Sequence, residues 1–294
     1  MVKRFKARVS QIGKRLLEIP LIGFIARVVD NMGKDGAGEM VGAISYYVIL
    51  SLFPLLLGII ALLGFFLPHA AVQDAINKFV QSNAPGLGQL LQVNIAKVIE
   101  ARGPLGIVSI IGFFWSGSAM FSAINNAVNR AWQISRLRHF AIRKLSELAM
   151  SIGTTFFLVL SMTGTAILSF FGLGSSLAQK ILYSVLSLLL IFTAFVLIYK
   201  LVPNTRTYWR LVWPGAALAA FFFELARIAM TIYFANFANF QLVYGAIGFI
   251  IVLLIWVYFS AFILVAGAEA SFEYSRTRLK LPQKQWRLLK VKQS

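Results

Sequence analysis

Cysteine is absent from this 294-residue chain and histidine occurs only twice, at His69 and His139. Without thiols there is no disulfide framework, no thiolate metal site and no cysteine nucleophile. Acidic residues are scarce as well, 10 Asp and Glu against 28 Lys and Arg, giving a formal charge of +18. Charged residues of either sign make up 13% of the chain, about half the usual share in a soluble domain. A water-facing surface cannot be built from so few charges, so a soluble enzyme is excluded. A metal centre needs clustered His, Asp and Glu, and phosphodiester hydrolysis on metals needs the same. No such cluster, Walker A loop, Gly-x-Ser-x-Gly elbow or kinase signature is present. No catalytic residue, metal or cofactor is therefore expected, and the protein reads as a non-enzyme. Nothing in residues 1–19 reads as a cleavable signal peptide, because a basic amphipathic stretch stands where an uninterrupted apolar core would be required.

What is abundant is apolar: 59% of residues are hydrophobic, 14% are aromatic and the mean hydropathy is +0.78. A membrane-crossing helix needs roughly 20 mostly apolar residues. Six stretches meet that need, at 40–73, 104–128, 148–171, 181–202, 211–234 and 242–268. The expected fold is all-α: a polytopic integral membrane protein of six transmembrane helices with short amphipathic interfacial helices. The chain divides into an amphipathic N-terminal segment (1–39), the membrane domain (40–275, with a helical loop at 68–103) and a basic tail (276–294). In 3–19, Phe5, Val9, Ile12, Leu16 and Ile19 recur at helical spacing, and Pro20 opens a second short segment carrying Ile22, Ile25, Val29 and Met32.

Orientation follows from where the basic residues fall. Eight lie in 1–40, five between the second and third spans, three between the fourth and fifth, and seven in the tail. The opposite side holds four: Lys78, Lys97, Arg102 and Lys180. Both termini are expected in the cytoplasm, with His69 and His139 on opposite sides of the membrane. Topology accounts for the net charge, so no nucleic-acid partner is expected. The expected partners are membrane lipids, their anionic headgroups meeting the basic cytoplasmic face, and a homo-oligomer stays open.

Polar residues inside spans narrow the search for a site, since a charge at mid-bilayer costs at least about 2.5–3.5 kcal/mol on insertion scales. Glu224 and Arg227 stand three residues apart in the fifth span, on one helix face, with Thr231 one turn further. The pair reads either as a substrate or ion site or as a self-neutralising packing element. Asn126, Asn129 and Arg130 share a face at the end of the second span, beside Trp132, which is expected at headgroup level. In the first span Tyr47 and Ser51 precede Pro54, a kink that frees the carbonyl near Leu50. Glu269 and Glu273 close the sixth span and are expected to pair with Arg or Lys at the inner interface. Gly112 and Ser116, Ser161 and Thr165, and Gly215 and Ala219 have the small-xxx-small spacing that lets membrane helices approach closely.

Three stretches carry a resemblance to a known family. They are Ala43 to Leu55 with its Ser51-x-x-Pro54, Asn126 to Trp132, and a long third set. The last comprises Val202-Pro203-Asn204, Trp213, Gly215, Glu224, Tyr233, Tyr244-Gly245, Trp256-Val257-Tyr258 and Gly267-Ala268-Glu269. Over 33–275 the chain resembles the YihY/BrkB family of bacterial inner-membrane proteins. The resemblance implies a six-helix protein of the cytoplasmic membrane; members are linked to serum resistance and relatives to movement of lipid A precursors. A ribonuclease label once attached to the family finds no support in these residues. The expectation is a transporter or flippase-like protein for a lipid or amphipathic anion, without its own ATPase. The alternative is a non-transporting scaffold of the cell envelope.

Overall fold

The computed structural model describes residues 20–66, 102–134, 145, 177–205, 207–237 and 240–279, and no strand occurs among them. Six helices account for nearly all of these residues: α1 Pro20–Lys34, α2 Ala37–Phe66, α3 Arg102–Ala131, α4 Leu177–Leu201, α5 Trp209–Phe237 and α6 Phe240–Arg278. Helices α2 to α6 lie where the first, second, fourth, fifth and sixth spans are expected. The third expected span (148–171), the N-terminal stretch 1–19, the 68–101 part of the loop and the tail from 280 lie outside the described residues. Two helical stretches, Trp209–Tyr233 and Ile250–Arg278, are long and apolar enough to cross a membrane, and Ala37–Leu52 and Ser187–Leu201 are shorter apolar helices. Helix α6 runs on to Arg278, past the domain boundary drawn at 275, so the basic tail begins as a continuation of the last helix.

Helix α6 is the hub, touching each of the other five described helices; its broadest contact is with α5, while α2 and α3 form the closest pair. Lipid chains are as apolar as Leu, so membrane helices associate through close van der Waals contact and interhelical hydrogen bonds rather than through hydrophobic burial. The α5–α6 crossing shows how. A Cβ on Gly215 would stand 2.3 Å from the Gly267 carbonyl oxygen and 2.6 Å from the Ser271 nitrogen, and one on Gly267 would stand 2.7 Å from the Ala219 Cβ. The two backbones touch because neither helix has a side chain there. Around this crossing the Tyr199 hydroxyl of α4 donates to the Leu264 carbonyl at 2.8 Å, and Ser271 Oγ donates to the Val212 carbonyl at 3.2 Å.

A second close approach joins α2 to α3. Helix α2 continues through Pro54, and Gly112 faces the proline ring at van der Waals distance, 3.5 Å from a Cβ built at 112 to the Pro54 Cβ. Ser51 Oγ donates to the Val48 carbonyl at 2.7 Å. The connections gather at one end of the molecule. The α1–α2 turn is closed by Gly36 at φ 68°, a left-handed conformation that suits glycine. Helix α3 ends in a Schellman motif, with Gln133 at φ 53° donating to the Arg130 carbonyl and Ile134 to the Asn129 carbonyl, both at 2.8 Å. The α4–α5 connection is held by Lys200, which donates to the Thr207 carbonyl and lies 5.6 Å from the centre of the Trp209 ring. The fully buried side chains Val41, Val128, Trp132, Tyr199, Val212 and Phe272 form the core of this same end.

A methyl group at 215 has no flexible neighbour to displace, and overpacking of this kind costs about 1–3 kcal/mol or more. Gly215→Ala is expected to lower the melting temperature of the detergent-solubilised protein clearly. Gly42→Ala, where no atom lies within 4 Å of the added carbon, is expected to leave it unchanged or raise it slightly. Thermal unfolding of both variants side by side checks this.

Candidate functional site

Along α3 the residues Trp115, Ala119, Ser122, Asn126 and Arg130 fall at four- and three-residue steps, which puts them on one helix face. Opposite them on α2, Glu39, Ala43 and Tyr47 are spaced by four. Together these residues line a groove of about 480 Å³ between the two helices. One end of the groove is polar, with Arg130, Glu39 and Asn126; the other is walled by Tyr47 and Trp115, the indole 79% exposed. Arg130 Nη1 and Glu39 Oε2 are 3.9 Å apart, and both side chains are more than half exposed. At that separation the ions attract without a hydrogen bond, so the guanidinium keeps its donors for another partner.

Asn126 and Arg130 thus share the groove face, but Asn129 does not, which corrects the expectation that all three do. Asn129 is buried, donating to the Asn125 carbonyl at 2.8 Å and to its side-chain oxygen at 2.5 Å, while its own oxygen accepts from the Asn204 backbone at 2.7 Å. It ties α3 to the α4–α5 connection. Trp132, expected at headgroup level, is buried instead, its ring edge-on to Phe272 with centroids 6.1 Å apart. Ser51 is buried with its donor used by its own helix.

Glu224 and Arg227 sit elsewhere. The guanidinium meets the carboxylate through two hydrogen bonds, Nε to Oε2 at 2.9 Å and Nη2 to Oε1, and Thr231 Oγ1 donates back to the Arg227 carbonyl at 2.9 Å. The Arg227 side chain is 45% exposed and that of Glu224 19%. Glu224 lies at an otherwise apolar groove of about 330 Å³ between α4 and α5, with Leu188, Phe192, Phe221 and Ile228 among its walls. The structure therefore does not bring the Glu224 set together with Tyr47 and Asn126. A bidentate pair of this kind uses most of the charge it contains.

A third polar cluster was visible in sequence only as two acids near a helix end. Glu273 is fully buried and holds two arginines: Arg27 Nε of α1 at 2.5 Å, and Arg276 Nη2 at 2.8 and 2.9 Å. Asn31 Nδ2 lies 3.5 Å from its second oxygen. Glu269, one turn earlier, is also 0% exposed, and no arginine or lysine among the described residues pairs with it. Neither of its oxygens has a hydrogen-bond partner among the described residues, and its acidic neighbours are Glu273 and Asp35 of the α1–α2 turn. The expected cation partner is thus found at Glu273, while Glu269 has none among the described residues. Among the described residues no group of three or more His, Cys, Asp and Glu could hold a metal ion.

Comparison with known proteins gives the family. The profile of the family described as Virulence factor BrkB matches residues 28–288. A UPF0761 membrane protein of Pseudoalteromonas translucida (strain TAC 125) is 26% identical over 267 residues, covering 88% of both chains. Another, of Vibrio vulnificus (strain YJ016), is 28% identical over 256 residues, covering 85% of this chain and 82% of its own. No solved structure matches the chain. The protein belongs to the BrkB family of membrane proteins.

Removing one member of the Glu224–Arg227 pair leaves a lone charge in an apolar surround, worth roughly 2.5–3.5 kcal/mol on insertion scales. Glu224→Gln and Arg227→Gln are each expected to destabilise the folded protein in lipid, and the double variant less than the worse single one. A double-mutant cycle on unfolding in bicelles measures the coupling.

Proposed function

We propose that this BrkB-family protein is a multi-pass protein of the bacterial inner membrane that moves a lipid or another amphipathic anion across it, without an ATPase or other enzymatic activity of its own. The single observation behind this reading is the α2–α3 groove, which has a cation at one end and aromatic and apolar walls at the other. An amphipathic anion has that same division, a charged head that needs N–H donors and chains that need none. Arg130, with Asn126 beside it, is the residue suited to a phosphate or carboxylate head. Arg227, named from sequence for that task, already has its guanidinium engaged by Glu224.

The polar end of the groove lies with the α1–α2 turn, the end of α3 and the α4–α5 connection, which belong to the stretches 1–40, 130–144 and 200–210 that together carry 16 of the 28 basic residues. The excess of Lys and Arg supports a cytoplasmic position for that end. Headgroups of the inner leaflet would then meet Arg130 first, and the apolar flank of the groove would accept the chains. Tyr47 and the exposed ring of Trp115 supply surface that can lie against a chain without demanding hydrogen bonds.

Full-length protein reconstituted into phosphatidylglycerol-containing vesicles is expected to make a chain-labelled anionic phospholipid of the inner leaflet accessible to an external quencher. A hydrogen bond to a charged group is worth about 1.5–3 kcal/mol, so Arg130→Ala is expected to weaken headgroup capture by roughly tenfold or more. Arg227→Gln combined with Glu224→Gln is expected to leave the movement close to wild type. No movement by the wild type, or equal movement by Arg130→Ala, sinks the proposal; loss of co-purifying envelope proteins in its place would favour a scaffold.

A further inference from the structure

The two charges at the mouth of the α2–α3 groove are opposite in sign and stand apart. Arg130 Nη1 and Glu39 Oε2 are 3.9 Å from each other, with the Arg130 side chain 56% exposed and that of Glu39 84%. The Glu224–Arg227 pair is the contrast, its guanidinium closed on its carboxylate by two hydrogen bonds. Gly36 lies beside both groups of the open pair: a Cβ built there would come within 3.5 Å of Glu39 Oε2 and 3.9 Å of Arg130 Cζ. The pair thus rests against bare backbone of the α1–α2 turn, and both side chains line the groove. We propose that Arg130 and Glu39 form a head-group site for a phospholipid that bears a primary ammonium group, a phosphoethanolamine lipid, with its phosphate on Arg130 and its ammonium on Glu39. This rests on the groove reading above and names the head group that the groove selects.

Charge complementarity carries the choice of head. A head with a phosphate alone is attracted by Arg130 and repelled by Glu39, and one with a cation alone meets the reverse. A head with both charges is attracted by each. The hydrogen bonds agree with the charges. A phosphate accepts from the guanidinium and from the Asn126 amide, whereas an ammonium has N–H groups to donate and needs an acceptor. An ionised carboxylate only accepts, and Glu39 supplies it. A trimethylammonium head has no N–H to offer and satisfies the carboxylate by charge alone. Exposed ion pairs hold little free energy, so a ligand that takes one charge each gives up little by parting them.

The rest of the groove continues the match along the helix axis. At the rise of an α-helix, Asn126 lies about 6 Å from the level of Arg130, Ser122 about 12 Å and Trp115 about 22 Å. The lining face of α3 therefore runs from guanidinium through amide and hydroxyl to Ala119 and an exposed indole. A phospholipid runs in the same order, from phosphate through ester carbonyls that accept hydrogen bonds to chains that need none. On α2 the carboxylate stands at the level of Arg130, and Ala43 and Tyr47 follow it up the groove. A volume of about 480 Å³ is that of a single small-ligand site, which fits one head group with its chains continuing into the bilayer.

The test measures binding apart from movement. Full-length protein in detergent micelles is titrated with phosphatidylethanolamine, phosphatidylglycerol and phosphatidylcholine of identical chains, and the first bound lipid is followed by native mass spectrometry. A hydrogen bond between charged groups is worth roughly tenfold in affinity, and the wild type is expected to prefer phosphatidylethanolamine over either other lipid by about that factor. Glu39→Gln is expected to abolish the preference, with phosphatidylglycerol then binding as well as phosphatidylethanolamine or better. Arg130→Ala is expected to weaken all three lipids by roughly tenfold. Glu39→Ala is the second variant, should the first not fold, and is expected to lose the same preference. A wild type that binds the three lipids alike, a preference that survives in a folded Glu39 variant, or unchanged binding in Arg130→Ala overturns the inference. A head-group preference without lipid movement in vesicles supports this site and sinks transport alone; movement without a preference sinks this site alone.

Discussion

A carboxylate removed from water must collect its hydrogen bonds from the chain, and Glu273 collects them from two directions at once. Arg276 reaches it from the next turn of α6, while Arg27 reaches it from α1, 246 residues away in sequence. Breaking a buried pair by removing one partner is far more destructive than never having had it. The position of α1 is therefore determined by this contact, and α1 in turn sets the Gly36 turn and the start of α2. Helix α6 then passes the constraint to α5 through the Gly215–Gly267 contact, where the backbones are too close for any alternative side chain.

Much of the architecture was legible because its causes are local. Twenty apolar residues in a row predict a helix, and described helices stand at five of the six expected positions. Gly215 and Ala219 were flagged by spacing, and both lie at the α5–α6 crossing. The site was less legible. Periodicity can say that Asn126 and Arg130 share a face, but not that Asn129 turns to Asn125 and Asn204. That outcome depends on where the α4–α5 connection lands. Trp132 was misplaced for a similar reason: an indole near a helix end suits a headgroup region, but here it is buried edge-on against Phe272 of α6. Glu269 and Glu273 have the same residue type and nearly the same place in sequence. Only the three-dimensional placement of α1 decides that it is Glu273 that meets Arg27.

The polar groups within the membrane region divide by how completely they satisfy one another. Glu224 and Arg227 are closed upon themselves, and Asn129 is closed within the bundle. Arg130 and Asn126 are open to a groove that also offers aromatic surface. For a protein whose surroundings are apolar on most sides, a donor left open is the exception, and it is the open donors that can recognise something from outside.

The proline at position 54 bears on how that groove could change. Pro54 has no N–H, so the Leu50 carbonyl lacks its usual helical donor, and the missing bond falls just beyond Tyr47. Bending α2 at this point breaks no backbone hydrogen bond, because none is there to break. Gly112 opposite leaves the ring free of a side chain to ride against. A bend in α2 is thus least costly at this single step of the helix, and it would alter the width between Tyr47 and α3.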